Sequence, residues 1–166
     1  MNLGVHPLGL ILWLINSPVD RVYAEMGNLY HKLEAEDHAS LIMRFKNNAI
    51  ATIHTSYIVK GGLDDRAEIY GTEGSIYIDL WRTSPVKVYS EKGYSYVVEK
   101  ASLSTNWTFP SVDEVWQLGY SREIEHLINC IVEDKKPFPD GEFGKKVLEV
   151  VFAAYKSVDE GKPQTL

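Results

Sequence analysis

Hydrophobic residues near the start of the chain follow a helical pattern. The segment from His6 to Ile15 is apolar almost all round, which is typical of a helix buried between layers. Pro7 suits the first turn because it has no N–H group to leave unpaired, and Asn16-Ser17-Pro18 favours the end of a helix. We therefore predict a helix over residues 6–15. Its apolar stripe is formed by Leu10, Trp13 and Leu14.

From Val19 to about Lys100 the pattern alternates with a period of two, which is typical of β-strands. The alternating segments are Val22–Met26, Ala39–Phe45, Ala49–Tyr57, Arg66–Tyr70, Ile76–Leu80, Pro85–Ser90 and Tyr94–Glu99. Most of them are joined by short turns, such as Lys46-Asn47-Asn48 and Gly71-Thr72-Glu73-Gly74. Short connections place strands antiparallel, so we predict about seven strands in a largely antiparallel sheet.

Two further helices are predicted at the end of the chain. Ser111 to Glu114 fits a capping box, and apolar residues recur at helical spacing from Trp116 to Ile131. Asp140 can cap the last helix, which Gly161 and Pro163 end.

The fold class that follows is α+β, with one large, mostly antiparallel open sheet and three helices packed on one face. Residues 1–166 are expected to form a single domain. The open face would carry Tyr, Thr, Ile and Trp side chains together with charges. A broad face of this kind is commonly a protein interface, so we expect it to pair with a second copy or another domain.

Composition narrows the classes of function. Hydrophobic residues make up 45% of the chain, which is ordinary for a globular protein, and the net charge is −6. The basic residues are scattered among acidic ones, so the chain lacks the basic cluster that nucleic-acid binding requires. The apolar run Leu8–Ile15 is too short to span a membrane and lacks the basic leader of a signal peptide. We expect a cytoplasmic protein that binds neither nucleic acid nor membrane. Cys130, the single cysteine, is interpreted as a small buried hydrophobic residue rather than a nucleophile.

Nucleotide-binding motifs are missing from the sequence. There is no Gly-x-Gly-x-x-Gly after a strand and no Walker loop, and the turn Gly71–Gly74 has the wrong spacing for either. That turn also lies between two strands, so it offers no helix N-terminus to a pyrophosphate. We therefore expect no cofactor-binding residue in this chain.

Several histidines are candidate ligands or catalysts. The segment His31–His38 holds two imidazoles and three carboxylates, but a polar hairpin turn explains it as well as a metal site does. We predict no metal site there. His54 is interpreted as a surface or interface residue and His126 as a structural one. His6 differs because it stands at the mouth of a helix, where it is either a general acid or base or a simple helix cap.

Five ordered motifs resemble the Gfo/Idh/MocA family of sugar and inositol dehydrogenases, which includes glucose-fructose oxidoreductase. Asn2-Leu3-Gly4-Val5-His6 is similar to the Asp-x-Gly-x-His segment that opens the second domain of that family. The others are Phe45–Ala49, similar to a Phe-x-Asn-Gly-Ala hairpin; Glu68–Ile76, with a Gly-Thr-x-Gly turn; Gly119–Ile128, similar to a Gly-Tyr helix; and Ala153–Ser157 with Gly161-Lys162, similar to the closing helix. The resemblance implies a C-terminal domain only.

The resemblance also implies a division of roles. A Rossmann domain, absent from this sequence, would bind NAD or NADP and supply a catalytic lysine. The present chain would contribute substrate contacts, a histidine proton shuttle and an open sheet for homo-oligomer formation. His6 takes the histidine role, with hydride leaving the adjacent carbon of a sugar or polyol.

Asn2 stands where the family has an aspartate that balances the charged histidine, and an amide cannot carry that charge. Tyr120 and Arg122 are candidate substrate contacts, although a helix stripe and a solvated charge explain them nearly as well. The alternative function is a non-catalytic dimerising or ligand-binding module derived from the family.

Overall fold

A computed structural model describes residues 3–60, 64–79, 86–93, 105–108 and 119–166. The helices and strands in these residues are α1 (Val5–Ile15), β1 (Val19–Gly27), β2 (His38–Phe45), β3 (Ile50–Ser56), β4 (Arg66–Gly71), β5 (Gly74–Asp79), β6 (Val86–Ser90), β7 (Asn106–Thr108), α2 (Tyr120–Val132), α3 (Gly141–Glu160) and β8 (Gln164–Thr165). They belong to two compact units, residues 1–60 with 138–166, and residues 61–137.

The first unit contains a four-stranded sheet in the order β3-β2-β1-β8, and its strand pairs are antiparallel. The hairpin between β2 and β3 turns at Asn48, whose positive φ of 70° is one that asparagine tolerates better than most residues. The last two-residue strand pairs Gln164 with Val22 and Thr165 with Arg21. The end of the chain is therefore held against its first strand.

The core of the first unit lies between this sheet and helices α1 and α3. Alternate strand residues point inward, and apolar residues of both helices meet them. The core members include Leu8, Val22, Met43, Phe45, Val150 and Ala154, each at most 2% exposed. The strand residues that alternate with these core residues point to the opposite face of the sheet, and they include Tyr23, Glu25, Ser40 and His54.

The second unit contains another antiparallel four-stranded sheet, in the order β4-β5-β6-β7, and helix α2. The turn between β4 and β5 ends at Gly74, where an added Cβ atom would lie 2.3 Å from the carbonyl oxygen of Tyr89. A side chain there would collide with the backbone of β6, so only glycine fits this turn.

The α+β class and the antiparallel pairing are confirmed. The helix at residues 6–15, the Asp140 cap, the Gly161 end and six of the seven predicted strands are found with small shifts at their ends. The described strands form two four-stranded sheets, where one large sheet was expected, because alternation identifies a strand and its faces but not its neighbours.

Two short strands were missed by the sequence analysis. β7 lies between the strand predicted at Tyr94–Glu99 and the capping box predicted at Ser111–Glu114, and β8 follows the signals that end the last helix. A run of two or three residues is too short to show an alternating pattern. The strand predicted at Tyr94–Glu99 and the capping box at Ser111–Glu114 lie outside the described residues. Among the helices described, none combines the length and the apolar character needed to cross a membrane.

Candidate functional site

An open groove of about 840 Å³ lies between helix α1 and the first turns of helix α3, within the first unit. Its walls are mainly apolar and aromatic, and among the described residues that line it the charged or titratable side chains are His6, Asp140 and Lys145. Among the apolar lining residues are Leu10, Trp13, Phe138, Phe143 and Leu148. A mainly apolar cleft with a few polar groups is the usual form of a binding site.

His6 sits at the rim of this groove, in the first turn of α1. The helix begins where Gly4 accepts a hydrogen bond from the N–H of Leu8, at 3.2 Å, and Pro7 supplies no competing donor. Leu8 is 1% exposed and anchors the turn in the core, so the neighbouring His6 side chain is left exposed. The local sequence therefore determines where α1 begins and leaves the His6 imidazole exposed at that end of the helix.

The start of α3 forms the other wall. The carboxylate of Asp140 caps the helix by accepting a hydrogen bond from the N–H of Phe143, at 2.8 Å, and Glu142 lies in the first turn. A phosphate placed at this helix end would meet two carboxylates. The helix start therefore does not suit the pyrophosphate of a dinucleotide. The positive charge of Lys145 does not offset these carboxylates, because its Nζ atom lies 3.8 Å from the Glu149 carboxylate and is paired with it.

The chemistry available in the groove is therefore proton exchange at His6 beside an apolar surface. An imidazole is the side chain best suited to accept or release a proton near neutral pH. Trp13 is 55% exposed although it is large and apolar, so the groove leaves a broad hydrophobic surface uncovered next to that imidazole.

The loop between β1 and β2 is held by a buried carboxylate that the sequence analysis did not single out. Asp37 is 1% exposed and accepts hydrogen bonds from the N–H groups of Leu29, Tyr30 and His31, at 2.8–2.9 Å. Burial alone would raise the pKa of Asp37, but these three donors and the nearby His31 lower it to about 2. The polar segment His31–His38 is thus a pinned loop. The signal in the sequence is Asp37 itself, which directly precedes strand β2 and is one of the three carboxylates of that segment.

The aromatic residues of the second sheet lie on one of its faces. Ring centroids are 5.9 Å apart for Tyr70 and Tyr77, 5.8 Å for Tyr77 and Trp107, and 5.3 Å for Tyr89 and Trp107. The ammonium group of Lys87 lies 4.6 Å from the centroid of the Trp107 ring, within cation–π range. Aliphatic residues such as Ile76, Ile78 and Val88 alternate with these and face the opposite side.

The roles of the other predicted site residues, Asn2, Tyr120 and Arg122, stay predictions. Asn2 lies outside the described residues. Tyr120 and Arg122 are exposed on α2 in the second unit, whereas His6 belongs to the first, so their role as substrate contacts stays a prediction. Cys130 is buried and its sulfur lies 3.6 Å from Nε2 of His126. In the part of the chain that the structure describes, no three His, Cys, Asp or Glu side chains are arranged to hold a metal ion.

Two inositol dehydrogenases are similar in sequence to nearly the whole chain. A myo-inositol 2-dehydrogenase of Thermotoga maritima is 26% identical over 164 residues, covering 96% of this chain and 46% of that protein. A scyllo-inositol 2-dehydrogenase (NAD(+)) of Bacillus subtilis is 28% identical over 153 residues, covering 92% of this chain and 39% of that protein. The chain thus spans less than half the length of either relative.

A solved structure confirms the fold. An NAD binding oxidoreductase from Klebsiella pneumoniae superposes with a TM-score of 0.77 at 20% identity, covering 98% of this chain and 48% of the other. The family model described as "Oxidoreductase family, C-terminal alpha/beta domain" matches residues 1–166. The chain therefore belongs to the Gfo/Idh/MocA oxidoreductase family and corresponds to its C-terminal α/β domain.

Proposed function

We propose that the protein containing this chain is an NAD(P)-dependent oxidoreductase acting on a hydroxyl group of a sugar, a polyol or a related compound. The observation that carries the proposal is the exposed His6 at the rim of the apolar groove, in a chain whose relatives include two inositol dehydrogenases. In this proposal the chain supplies the proton-transfer histidine and a separate nucleotide-binding domain supplies the dinucleotide.

His6 acts as the general base in the oxidation. A bound NAD(P), held by the nucleotide-binding domain, would supply the acceptor for the hydride of the carbon that bears the hydroxyl group. The imidazole of His6 takes the hydroxyl proton, so the carbonyl product forms without a free alkoxide. Tyr120 and Arg122 contact the substrate, and Trp13 with the neighbouring apolar wall of the groove excludes water from the reacting atoms.

A chimera tests the role of His6. This chain would replace the matched region of the Thermotoga maritima myo-inositol 2-dehydrogenase, and turnover would be followed as NAD⁺ reduction with inositols and sugars. His6→Gln should lower kcat about 10²- to 10⁴-fold, the usual contribution of a positioned acid or base. The matched control His31→Gln, on the exposed β1–β2 loop, should leave kcat unchanged. Full activity in His6→Gln would remove the proposed role.

Asn2 gives the second test. Asparagine cannot balance the charge of a protonated His6, so Asn2→Asp in the same chimera should raise kcat. A large gain would show that this chain descends from a working enzyme and has lost part of its activity. No gain would show that His6 works without a carboxylate from this position.

The open sheet face is proposed as the contact with a second copy of the chain. On the first sheet this face carries Arg21, Glu25 and Arg44, so opposite charges can meet across a two-fold axis, and Ile42 is 54% exposed among them. The aromatic face of the second sheet offers Trp107, at 46% exposure, as the kind of residue that dominates interfaces. A cytoplasmic location is part of the same proposal.

A non-catalytic assembly or ligand-binding module is the second candidate, because Asn2 replaces the acid of the family motif. Fluorescence titration of the whole protein with NADH and NADPH separates the two. Saturable binding of either nucleotide favours the oxidoreductase, and binding of neither favours the module.

A further inference from the structure

We infer that the groove between α1 and α3 binds an uncharged polyhydroxy ring, a pyranose sugar or a cyclitol, with the C–H face of the ring against the indole of Trp13 and one hydroxyl group at His6. This rests on the proposed oxidoreductase function and deepens it, because it gives the shape and charge of the substrate and names the residues that select it. Three features of the groove support it: the order of side chains along α1, the exposure of Trp13 and the balance of charge.

One face of α1 carries four of the residues that line the groove: His6, Gly9, Leu10 and Trp13. At 3.6 residues per turn, His6 and Trp13 leave the helix in nearly the same direction and are about 10 Å apart along its axis. Gly9 and Leu10 occupy the turn between them. The imidazole and the indole are therefore separated by a gap that one six-membered ring and its hydroxyl groups can bridge.

Gly9 leaves a recess in the middle of this gap. A Cβ atom added there would lie 3.8 Å from Cε1 of Phe143 and 4.0 Å from Cγ2 of Val147, which are ordinary van der Waals distances. The packing of α1 against α3 therefore leaves room for a methyl group, although glycine is less favourable than alanine inside a helix. Because the methyl group is missing, a ligand can lie close to the backbone of α1 with the Phe143 ring on the opposite wall.

Trp13 supplies the surface on which a ring can stack. Its side chain is 55% exposed, so much of the indole is open to the groove and to solvent. The face of an aromatic ring carries partial negative charge, and the axial C–H bonds of a ring whose hydroxyl groups are equatorial carry partial positive charge. A planar aromatic ligand could also stack there, but it has no saturated carbon bearing a hydroxyl group and a hydride. The proposed reaction therefore selects the saturated ring.

The charges of the groove favour a ligand without charge. Among the described residues that line it, and apart from His6, Lys145 carries the positive charge and Asp140 the negative one. Each is already engaged, since Nζ of Lys145 lies 3.8 Å from the Glu149 carboxylate and Asp140 accepts a hydrogen bond from the N–H of Phe143. A phosphate or carboxylate on the ligand would lose hydration without gaining an unengaged cation, whereas hydroxyl groups lose less.

Saturation-transfer NMR titration of the whole protein that contains this chain tests the inference. NADH or NADPH is kept bound, so that the alcohol probes are not oxidised during the measurement. The probes are scyllo-inositol, glucose, glucose 6-phosphate and glucuronate. The neutral rings should bind and receive saturation at their ring C–H protons. The two charged probes should bind about tenfold or more weakly than glucose, the penalty of desolvating an unpaired charge.

Two variants test the residues that select the ring. Trp13→Leu keeps an apolar side chain without an aromatic face, and it should raise the dissociation constant of the tighter neutral probe about tenfold. Gly9→Ala fills the recess and should also weaken binding, although the melting temperature should stay the same or rise because alanine favours a helix. A loss of binding in a more stable variant cannot come from unfolding. Leu14→Ala, exposed on α1 but not among the residues that line the groove, is the control and should bind as the parent does.

The possible failures separate the inference from the function on which it rests. Glucose 6-phosphate or glucuronate binding as tightly as glucose would contradict the uncharged class. Unchanged affinity in both Trp13→Leu and Gly9→Ala would contradict the stacked ring, while a lowered kcat in His6→Gln would leave the oxidoreductase standing. Binding of NADH or NADPH without binding of any probe would mean that another part of the protein or another ligand fills the groove, and the inference would be wrong. If neither nucleotide binds, the proposed function falls and the inference falls with it.

Discussion

The hydroxyl of Tyr155 donates a hydrogen bond to the carboxylate of Glu36 at 2.8 Å, although the two residues are 119 positions apart in the chain. Tyr155 lies on helix α3 and Glu36 on the loop between β1 and β2. Burial and the hydrogen bond with Glu36 raise the pKa of Tyr155 to about 12, so the phenol remains a donor at neutral pH. This bond joins the pinned loop to the last helix.

Tyr155→Phe should lower the free energy of unfolding by about 1 kcal/mol, because the partly buried Glu36 carboxylate loses a donor. Urea denaturation followed by circular dichroism measures the change. Tyr23→Phe is the matched control, since Tyr23 makes a similar bond to Glu25 on the exposed face, and it should have little effect. Equal losses in both variants would show that the bond to Glu36 adds nothing specific.

Asp37 predicts a pH dependence of stability. Its pKa is about 2 in the folded chain against a usual value of 3.8, so its contribution is complete above about pH 4 and is lost as the pH falls from there towards 2. Asp37→Asn should be less stable at neutral pH and should lose less stability over that acid range. Urea denaturation at a series of pH values measures this, with the exposed Asp159→Asn as the control. An acid transition of Asp37→Asn identical to that of the parent would contradict the role of Asp37 in holding the loop.

Met43 and Ile42 are neighbours on β2 that face opposite sides of the sheet. Met43 is 0% exposed in the core and Ile42 is 54% exposed on the opposite face. Met43→Ala should cost about 2–5 kcal/mol of stability through lost contacts and a cavity, whereas Ile42→Ala should change the stability of a monomeric sample by less than about 0.5 kcal/mol. Thermal and urea denaturation check both. A large loss of stability in Ile42→Ala but not in Met43→Ala would mean that Ile42, and not Met43, faces the core.

Ser157 joins three parts of the first unit through one hydroxyl. Its oxygen accepts from the N–H of Ala24 at 3.2 Å and donates to the carbonyl of Lys162 at 2.8 Å, and the residue is 0% exposed. Ser157→Ala should cost about 1–3 kcal/mol because two backbone groups lose their partner. Hydrogen exchange at the Ala24 amide should quicken in the variant. Ser17→Ala, whose hydroxyl accepts a longer bond of 3.3 Å near the surface, is the control.

The sequence predicted the parts of the fold that depend on local pattern. The alternation of Leu41 and Met43 with Ile42, and the caps at Asp140 and Gly161, follow from period and from short-range hydrogen bonding. The division into two sheets and the short strand at Gln164 did not follow, because each depends on which distant backbone lies alongside. Pairing between strands that are distant in sequence cannot be predicted from the pattern of only two residues.

The candidate site was predictable in a similar, partial way. His6 was singled out because it stands at the mouth of a helix, where a histidine can be exposed, and because its motif resembles a known one. The second wall of the groove, formed by Phe138 and Phe143 at a ring distance of 4.9 Å, was not found. Those residues come from the other end of the sequence, and nothing local links them to His6.

The first unit is made from both ends of the chain, with residues 61–137 between them. Its core needs Leu8 and Val22 from the beginning and Val150 and Ala154 from α3. During synthesis, therefore, the amino-terminal strands must wait with their apolar face uncovered until the last helix has left the ribosome. A stop codon shortly before residue 141 would remove helix α3 and leave the core face of the first sheet exposed, so we expect that product to aggregate.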